Sequence, residues 1–314
     1  VLWLLDVKSG NSRKVAFSQD GTEFDSPDLA WSPDSRWLAF SDYGSNAIQR
    51  VFLFDTAAKG KDVSPVAVTT DRLDSYSPAF SAGGRWLYFL TDRTFRSVQR
   101  SPWGPRQPEA YLDRTTSIYA LDLTGGQRSP FAADTELTAG SEENKSDEQS
   151  EPKGETQKSA EVTLDLNDLS GRLHPVPLDA GNYSSLTAAK GHLYFVSSSI
   201  SLNRSRNLMS YPITKDASSR KTTTVATGIG SYRLSSDRST VALRNSSRIY
   251  AFPASGSKPD LSKSQVSLSG LEVEVRPAIE WNQIFVDAWR LHRDYFYDRN
   301  MHAVDWKEVR TRHE

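Results

Sequence analysis

The sequence has 314 residues, a mass of 35.0 kDa and a formal net charge of −1, so the chain is long enough to bury a large core. Because 38 basic residues balance 39 acidic ones, no overall basic field attracts nucleic acid or an anionic membrane, and we expect neither partner. Cysteine is absent, which excludes disulfides, thiolate metal sites and cysteine nucleophiles, and no apolar run approaches the about 18 residues of a membrane span.

A repeat of strands and turns runs through most of the chain. Residues 29–41, LAWSPDSRWLAFS, return as PAFSAGGRWLYFL at 78–90, and the same frame recurs at 186–195 and 234–243. Each copy reads as two strands around a turn rich in Pro, Asp, Lys or Gly, which is typical of a hairpin. A third strand follows each copy, at 51–56, 117–123, 208–214 and 248–255. A repeat of several strands with a period of about 50 residues indicates the blades of a β-propeller.

The sequence therefore predicts an all-β fold, a β-propeller of four-stranded blades, followed by a short α-helical segment. Four blades are recognised, and the opening strand VLWLLDV is interpreted as the outer strand of an earlier blade. Since a propeller closes with about four to eight blades, we expect an incomplete ring here. The strand starts at Val1 without a methionine or a signal-like segment, so we expect the natural N-terminus to precede it. We assign residues 1–270 to TolB/WD40-like propeller blades and 271–314 to the start of a helical domain.

The aromatic residues of the repeat are expected to pack between blades. Aromatics are enriched in strands and contribute heavily to sheet packing. The series that we interpret as core comprises Trp31, Trp37, Phe40, Phe80, Trp86, Tyr88, Phe89, Tyr194 and Phe195.

Two segments interrupt the repeat. Residues 92–114 place four of their five arginines beside aromatic side chains and prolines, and arginine in such surroundings can hold a peptide carboxylate or stack on a ring. The candidate peptide-contact residues are Arg93, Arg96, Arg100, Arg106 and Trp103. The alternative is that the loop only packs over its blade. Residues 133–161 contain nine acidic residues, three lysines and no aromatic residue, so we expect a disordered acidic insertion.

The end of the chain has a different pattern. Apolar residues recur every three or four positions, which predicts a helix that begins after Pro277 and stops near Asp298. The stripe comprises Trp281, Ile284, Phe285, Ala288, Trp289, His292, Tyr295 and Phe296. A second helix is predicted from Asp305, which can cap it while Glu308 reaches back, as in a capping box.

The histidines of this tail are interpreted as structural. The sequence has no His-Glu-x-x-His zinc motif and no serine in a Gly-x-Ser-x-Gly context. His292 falls on the apolar stripe and His302 in the turn between the helices, where hydrogen bonding to a helix end is the usual role. We therefore expect no catalytic residue and no metal site in the chain.

Three stretches resemble the tricorn protease family. EWNQIFVDAWRLHRDYFYDRNMHAVDW, at 280–306, is similar to the first helices of that family's core domain, which follow directly on a β-propeller. SVQRSPWGPRQPE at 97–109 and RLHPVPLDAGNYSSLTAAKGHLYF at 172–195 resemble its second propeller. The resemblance covers nearly the whole chain and is most specific in the tail, because the propeller frame is shared with TolB-like proteins.

The resemblance implies a large cytoplasmic serine endopeptidase that forms a homohexamer and degrades oligopeptides without metal, nucleotide or other cofactor. It also implies that propellers route peptides to a buried active site. The family's catalytic residues lie beyond the matched segments, so the resemblance maps none of them onto this chain, and His302 is not the catalytic histidine. The competing hypothesis is a non-enzymatic TolB/WD40-like propeller that acts as a protein-binding module.

Overall fold

The computed structural model describes residues 1–16, 28–58, 63–95, 112–133, 163–200 and 205–313. The chain divides into two compact units, Val1–Val266 and Ser267–Glu314, and each is described by itself. The first unit holds the strands and the second holds the long helices. The predicted acidic insertion lies outside the described residues except for Ala133, and the predicted domain boundary at residue 270 stays a prediction.

The first unit confirms the predicted fold class, because it is built of four antiparallel blades in a propeller arrangement. The first blade contains β3 (Leu29–Trp31), β4 (Trp37–Tyr43), β5 (Gln49–Asp55) and β6 (Val66–Ala67). The second contains β7 (Ser75–Phe80), β8 (Trp86–Asp92), β9 (Thr116–Asp122) and β10 (Leu173–Pro175). The third contains β11 (Tyr183–Ala189), β12 (His192–Ser198), β13 (Arg206–Pro212) and β14 (Thr223–Ala226). The fourth contains β15 (Ser231–Leu234), β16 (Thr240–Asn245) and β17 (Arg248–Pro253).

Within each blade the strands follow one another as an antiparallel meander. The opening pattern forms β1 (Leu2–Leu5), which pairs with β2 (Ser12–Ala16) in a two-stranded sheet. The fourth blade has three strands among the described residues, so the predicted four-stranded pattern is complete in the first three blades.

Apolar side chains lie between successive blades and not on one side of a single sheet. One cluster, with Leu53, Phe80 and Phe89, joins the first two blades, and another, with Tyr88 and Phe195, joins the second and third. A third cluster around Tyr194 and Phe252 joins the third and fourth. Because both faces of a blade are covered, the central strands read as nearly continuous apolar runs, and β8 is buried at every position except Asp92.

The aromatic series is core with one exception. Phe40, Phe80, Trp86 and Phe89 are buried, as are Tyr88, Tyr194 and Phe195, and Trp37 is half-buried. The prediction was wrong for Trp31, which is 45% exposed at the end of a strand of three residues. A strand so short gives its last side chain little neighbouring sheet to pack against.

Three blades use the same turn in their first hairpin. A serine hydroxyl accepts a hydrogen bond from the backbone N–H five residues later, at 2.8 to 3.1 Å: Ser32 from Trp37, Ser81 from Trp86 and Ser235 from Thr240. The residue at the fourth turn position has a left-handed φ of 61°, 77° or 60°: Ser35, Gly84 and Arg238. Only glycine adopts this conformation without a steric penalty, so the turn of the second blade is the least strained of the three.

Ser81→Ala is expected to lower the free energy of unfolding by about 1–3 kcal/mol, because the Trp86 N–H then loses its hydroxyl partner in a buried position. The matched control is Ser236→Ala, since this serine lies in the corresponding turn of the fourth blade with its side chain exposed. We expect the control to stay within about 0.5 kcal/mol of the parent. Urea unfolding followed by tryptophan fluorescence measures both, and equal effects would contradict the account of the turn.

The second unit contains the predicted helices. The first unit ends with the short helix α1 (Leu261–Ser264), and the tail then forms α2 (Pro277–Tyr295) and α3 (Trp306–His313). Asp305 caps α3 as predicted, because its carboxylate accepts from the backbone N–H groups of Lys307 and Glu308, both at 3.0 Å. The carboxylate of Glu308 accepts a hydrogen bond from Arg312 at 2.8 Å.

Candidate functional site

The loop that carries the predicted peptide-contact residues leaves the second blade between β8 and β9. Asp92 ends β8 and pairs with Thr116, which begins β9, so the two ends of the loop lie side by side. Four of the five candidates lie outside the described residues: Arg96, Arg100, Trp103 and Arg106. Residues 93–95 and 112–115, here called the loop stem, are described and contain Arg93.

Arg93 lies against the blade. Its backbone N–H donates to the carbonyl of Thr115 at 3.0 Å, and its guanidinium carbon lies 4.3 Å from the ring centroid of Tyr119. That ring in turn stacks on Phe89 at 6.5 Å. The Nε atom of Arg93 is buried and has no hydrogen-bond partner among the described residues. Packing on Tyr119 thus fixes the side chain, and contact of Arg93 with a peptide stays a prediction.

A polar network holds the stem below this arginine. Asp92 accepts hydrogen bonds from the hydroxyls of Thr116 at 2.8 Å, Tyr76 at 3.2 Å and Thr115 at 3.3 Å. Burial raises the pKa of Tyr76, and the negative charge of Asp92 adds to the effect. The phenol therefore stays protonated and donates. Because the network joins β7, β8 and β9, it fixes the strand ends from which the loop leaves.

The other side of the stem is tied to the third blade. The side-chain amide of Asn182 donates to Asp113 at 2.7 Å and its carbonyl accepts from the Arg114 N–H at 2.9 Å. Thr116 and Gly181 exchange backbone hydrogen bonds at 3.0 and 2.9 Å. A Cβ on Gly181 would lie 2.4 Å from the ring of Tyr183, so a larger residue there would require the ring to move. The stem is thus held by two blades at once.

The inner strands of the second and third blades bulge at this same end. The pairing of β7 with β8 shifts register after Tyr76, and that of β11 with β12 shifts after Ser184. Ser77 and Ser185, which follow these residues, have left-handed φ values of 49° and 54°. Asp28 stabilises the first bulge, because its carboxylate accepts from the N–H and hydroxyl of Ser77 at 3.1 and 2.7 Å. Bulges of this kind are frequent beside binding sites.

The tail histidines make structural contacts in the second unit. His292 Nδ1 lies 2.9 Å from the carbonyl of Ala288, one turn earlier in α2. His302 Nε2 bonds the hydroxyl of Tyr297, and its Nδ1 lies 3.7 Å from Asp298. No serine hydroxyl is among these partners. Over the described part of the chain, no three His, Cys, Asp or Glu side chains are grouped so that they could hold a metal ion.

The sequence predicts the position of the loop but not the hydrogen bonds that hold its two ends. Asp92, Tyr76, Thr116 and Asn182 come from four segments that only strand pairing brings together. The one signal in the sequence is a tyrosine-serine pair near the start of the inner strands of the second and third blades, Tyr76-Ser77 and Tyr183-Ser184. None of the helices in the described residues is long and apolar enough to span a membrane.

Comparisons with known proteins relate both units to one family. The model of the Tricorn protease second beta propeller domain matches residues 1–255, and that of the Tricorn protease C1 domain matches 277–314. Tricorn protease homolog 1 of Streptomyces coelicolor is 28% identical over 99% of this chain and 29% of its own length. The Tricorn protease of Thermoplasma acidophilum is 25% identical over 94% of this chain and 26% of its own length.

A solved structure agrees with the fold. The crystal structure of the tricorn protease matches with a TM-score of 0.68 at 21% identity, covering 98% of this chain and 28% of that one. The chain thus spans less than a third of the length of these relatives. Because the second-propeller model alone matches residues 1–255, most of the sequence, the chain belongs to the tricorn protease family.

Proposed function

We propose that the chain is part of a tricorn-like serine endopeptidase that degrades oligopeptides, with an active site outside residues 1–314. One observation carries the proposal: the propeller match at 1–255 and the C1 match at 277–314 occur in one chain and in that order. A propeller that served only as a binding module would not require a C1 domain after it. On this proposal the protein acts in the cytoplasm as a homohexamer.

The proposed role of the propeller is to guide or gate peptides on their way to that active site. The anchored loop stem supports this role, because the described residues of the stem are held by hydrogen bonds to the second and third blades. Arg93 adds a cation at the base of the loop, and Phe95 adds a ring that is 64% exposed. A cation and an exposed ring in the same short segment are the residue types that suit the carboxylate and side chains of a short peptide.

The proposal is tested with a fluorophosphonate probe, which reacts covalently with activated serines. We expect a longer protein that carries this chain to be labelled at a serine outside residues 1–314, and the 314-residue chain alone to remain unlabelled. Heat-denatured protein is the control for nonspecific reaction. Labelling of a serine within the chain would contradict the proposal. If the longer protein is also unlabelled but retains protein partners, the binding-module hypothesis is favoured.

A further inference from the structure

A polar cavity lies between the third and fourth blades, at the end of the propeller opposite the loop stem. It has a volume of about 380 Å³ and opens to solvent. Four separate segments form it: His192; Ser210 and Pro212; Ser219, Lys221 and Thr223; and Ser255, Gly256, Ser257 and Lys258. The size falls in the range of small-ligand sites, about 300–1,000 Å³.

One wall is the segment after β17, and it is pinned to the third blade through Gly256. The Ser210 hydroxyl, which is buried, donates to the Gly256 carbonyl at 2.5 Å, and the Gly256 N–H donates to the Tyr194 hydroxyl at 2.7 Å. Gly256 has a φ of +77°, and a Cβ there would lie 2.2 Å from the ring of His192. Only glycine permits this close approach, so Ser255, Ser257 and Lys258 are held at fixed positions beside it.

The facing wall is the loop between β13 and β14, and Arg220 clamps it. Its guanidinium donates to the carbonyls of Thr214 at 3.0 Å, Lys215 at 2.7 Å and Phe131. The carboxylate of Asp216 makes its hydrogen bonds within the same loop, because it accepts from the Ser219 hydroxyl at 2.5 Å and from the Ser218 N–H at 2.9 Å. Lys221 follows the clamp directly and is one of the residues that line the cavity.

The lining has the chemistry of an anion site. Two lysines, five hydroxyl groups and one imidazole line the cavity, and no carboxylate does so among the described residues. Asp260, the nearest acid along the chain after Lys258, is paired with Lys263 at 3.6 Å. Burial lowers the pKa of His192, against the opposing effect of a hydrogen bond with the Lys190 backbone, so the imidazole adds no positive charge to the lining near pH 7.

We propose that this cavity binds a small oxyanion, held by the ammonium groups of Lys221 and Lys258 and by the hydroxyls of the lining that do not already donate within the described part of the chain, namely those of Thr223, Ser255 and Ser257. Ammonium and hydroxyl donors are common partners of phosphate and carboxylate oxygens. The oxyanion can come from inorganic phosphate or from the terminal carboxylate of a peptide, and both present the same acceptor atoms. The proposal does not depend on peptidase activity, because binding alone tests it.

The test is calorimetric titration of the 314-residue chain with inorganic phosphate, at constant ionic strength set with sodium chloride. We expect saturable binding of one phosphate per chain. The double substitution Lys221→Gln and Lys258→Gln removes both charges from the lining, and we expect it to weaken the affinity by about tenfold or more. Lys8→Gln is the matched control, since this exposed lysine lies between β1 and β2, and we expect it to change nothing.

A second pair of titrations distinguishes the sources. A short peptide with a free terminal carboxylate is compared with the same peptide ended by an amide. Competition by the free acid alone identifies a peptide carboxylate as a ligand, and absence of competition by either peptide identifies phosphate as the source. Equal phosphate affinity in the parent and the double variant, with unchanged melting curves, would overturn the proposal, as would a failure of phosphate to saturate the parent.

Discussion

Phe89→Ala is expected to lower the free energy of unfolding of the propeller by about 3–5 kcal/mol. The side chain is 1% exposed in the middle of β8, and it belongs to the cluster that joins the first and second blades. Its ring also stacks on Tyr119, and the guanidinium of Arg93 lies over that tyrosine ring. Removing the ring leaves a cavity between two sheets whose strands are fixed by their ladders, so the site collapses only partly.

The matched control is Phe95→Ala, six residues further along the chain. This ring is 64% exposed, so its removal takes little apolar surface from the core, and we expect a change within about 0.5 kcal/mol. Chemical denaturation followed by circular dichroism measures both variants. Similar midpoints for the two variants would contradict the assignment of Phe89 to the core between blades.

Trp289→Ala is expected to destabilise the helical tail by about 3–5 kcal/mol. Trp289 and Trp306 join α2 to α3 through reciprocal bonds, since each indole N–H donates to the backbone carbonyl of the other, at 2.7 and 3.1 Å. The two rings stack at 6.4 Å, and Arg293 and Arg310 lie over the Trp289 ring at 5.1 and 5.5 Å. One substitution therefore removes the hydrogen bond from the Trp289 indole, the ring stack and both cation contacts to Trp289, while the backbone carbonyl that accepts from Trp306 remains.

Amide hydrogen exchange gives the readout, because it reports each helix separately. We expect α2 and α3 to lose protection in Trp289→Ala while the strands of the propeller keep theirs. Trp281→Ala is the control, since this ring belongs to the same stripe and is 68% exposed. Retained protection of α3 in Trp289→Ala, or an equal loss in the control, would contradict the description of the tail.

The blades could be predicted from the sequence because their signals are local. Alternating or continuous apolar runs, bounded by turn residues, mark β4, β8, β12 and β16, and the turn serines and the left-handed turn position lie within a few residues of each other. The strand β10 was not predicted, because it has only three residues and comes after the long insertion. The sequence predicted the apolar stripe of α2, but the spacing of its residues does not show which side chains are buried. Trp289 is buried, whereas Tyr295 is 83% exposed.

The candidate sites could be predicted only in part. The arginines of residues 92–114 can be recognised from the sequence alone. The hydrogen-bond network at the base of the loop depends on the register of the strands, which the sequence does not show. Tyr76 and Asp92 meet because the start of β7 lies beside the end of β8. The proposed oxyanion cavity could not be predicted from the sequence, because four separate segments line it and none of them contains a recognisable motif. The approach of Gly256 to His192 brings two of these segments together, and strand pairing in the third blade places the others.

We propose that this chain is the propeller part of a peptidase whose catalytic residues lie outside residues 1–314. The most direct measurement is hydrolysis of an internally quenched oligopeptide by the purified 314-residue chain and by a longer protein that carries it. We predict turnover by the longer protein and none by the chain alone, because the tail histidines His292 and His302 bond a backbone carbonyl and a tyrosine hydroxyl. Turnover by the chain that survives purification and disappears when one of its own serines is replaced by alanine would contradict the claim.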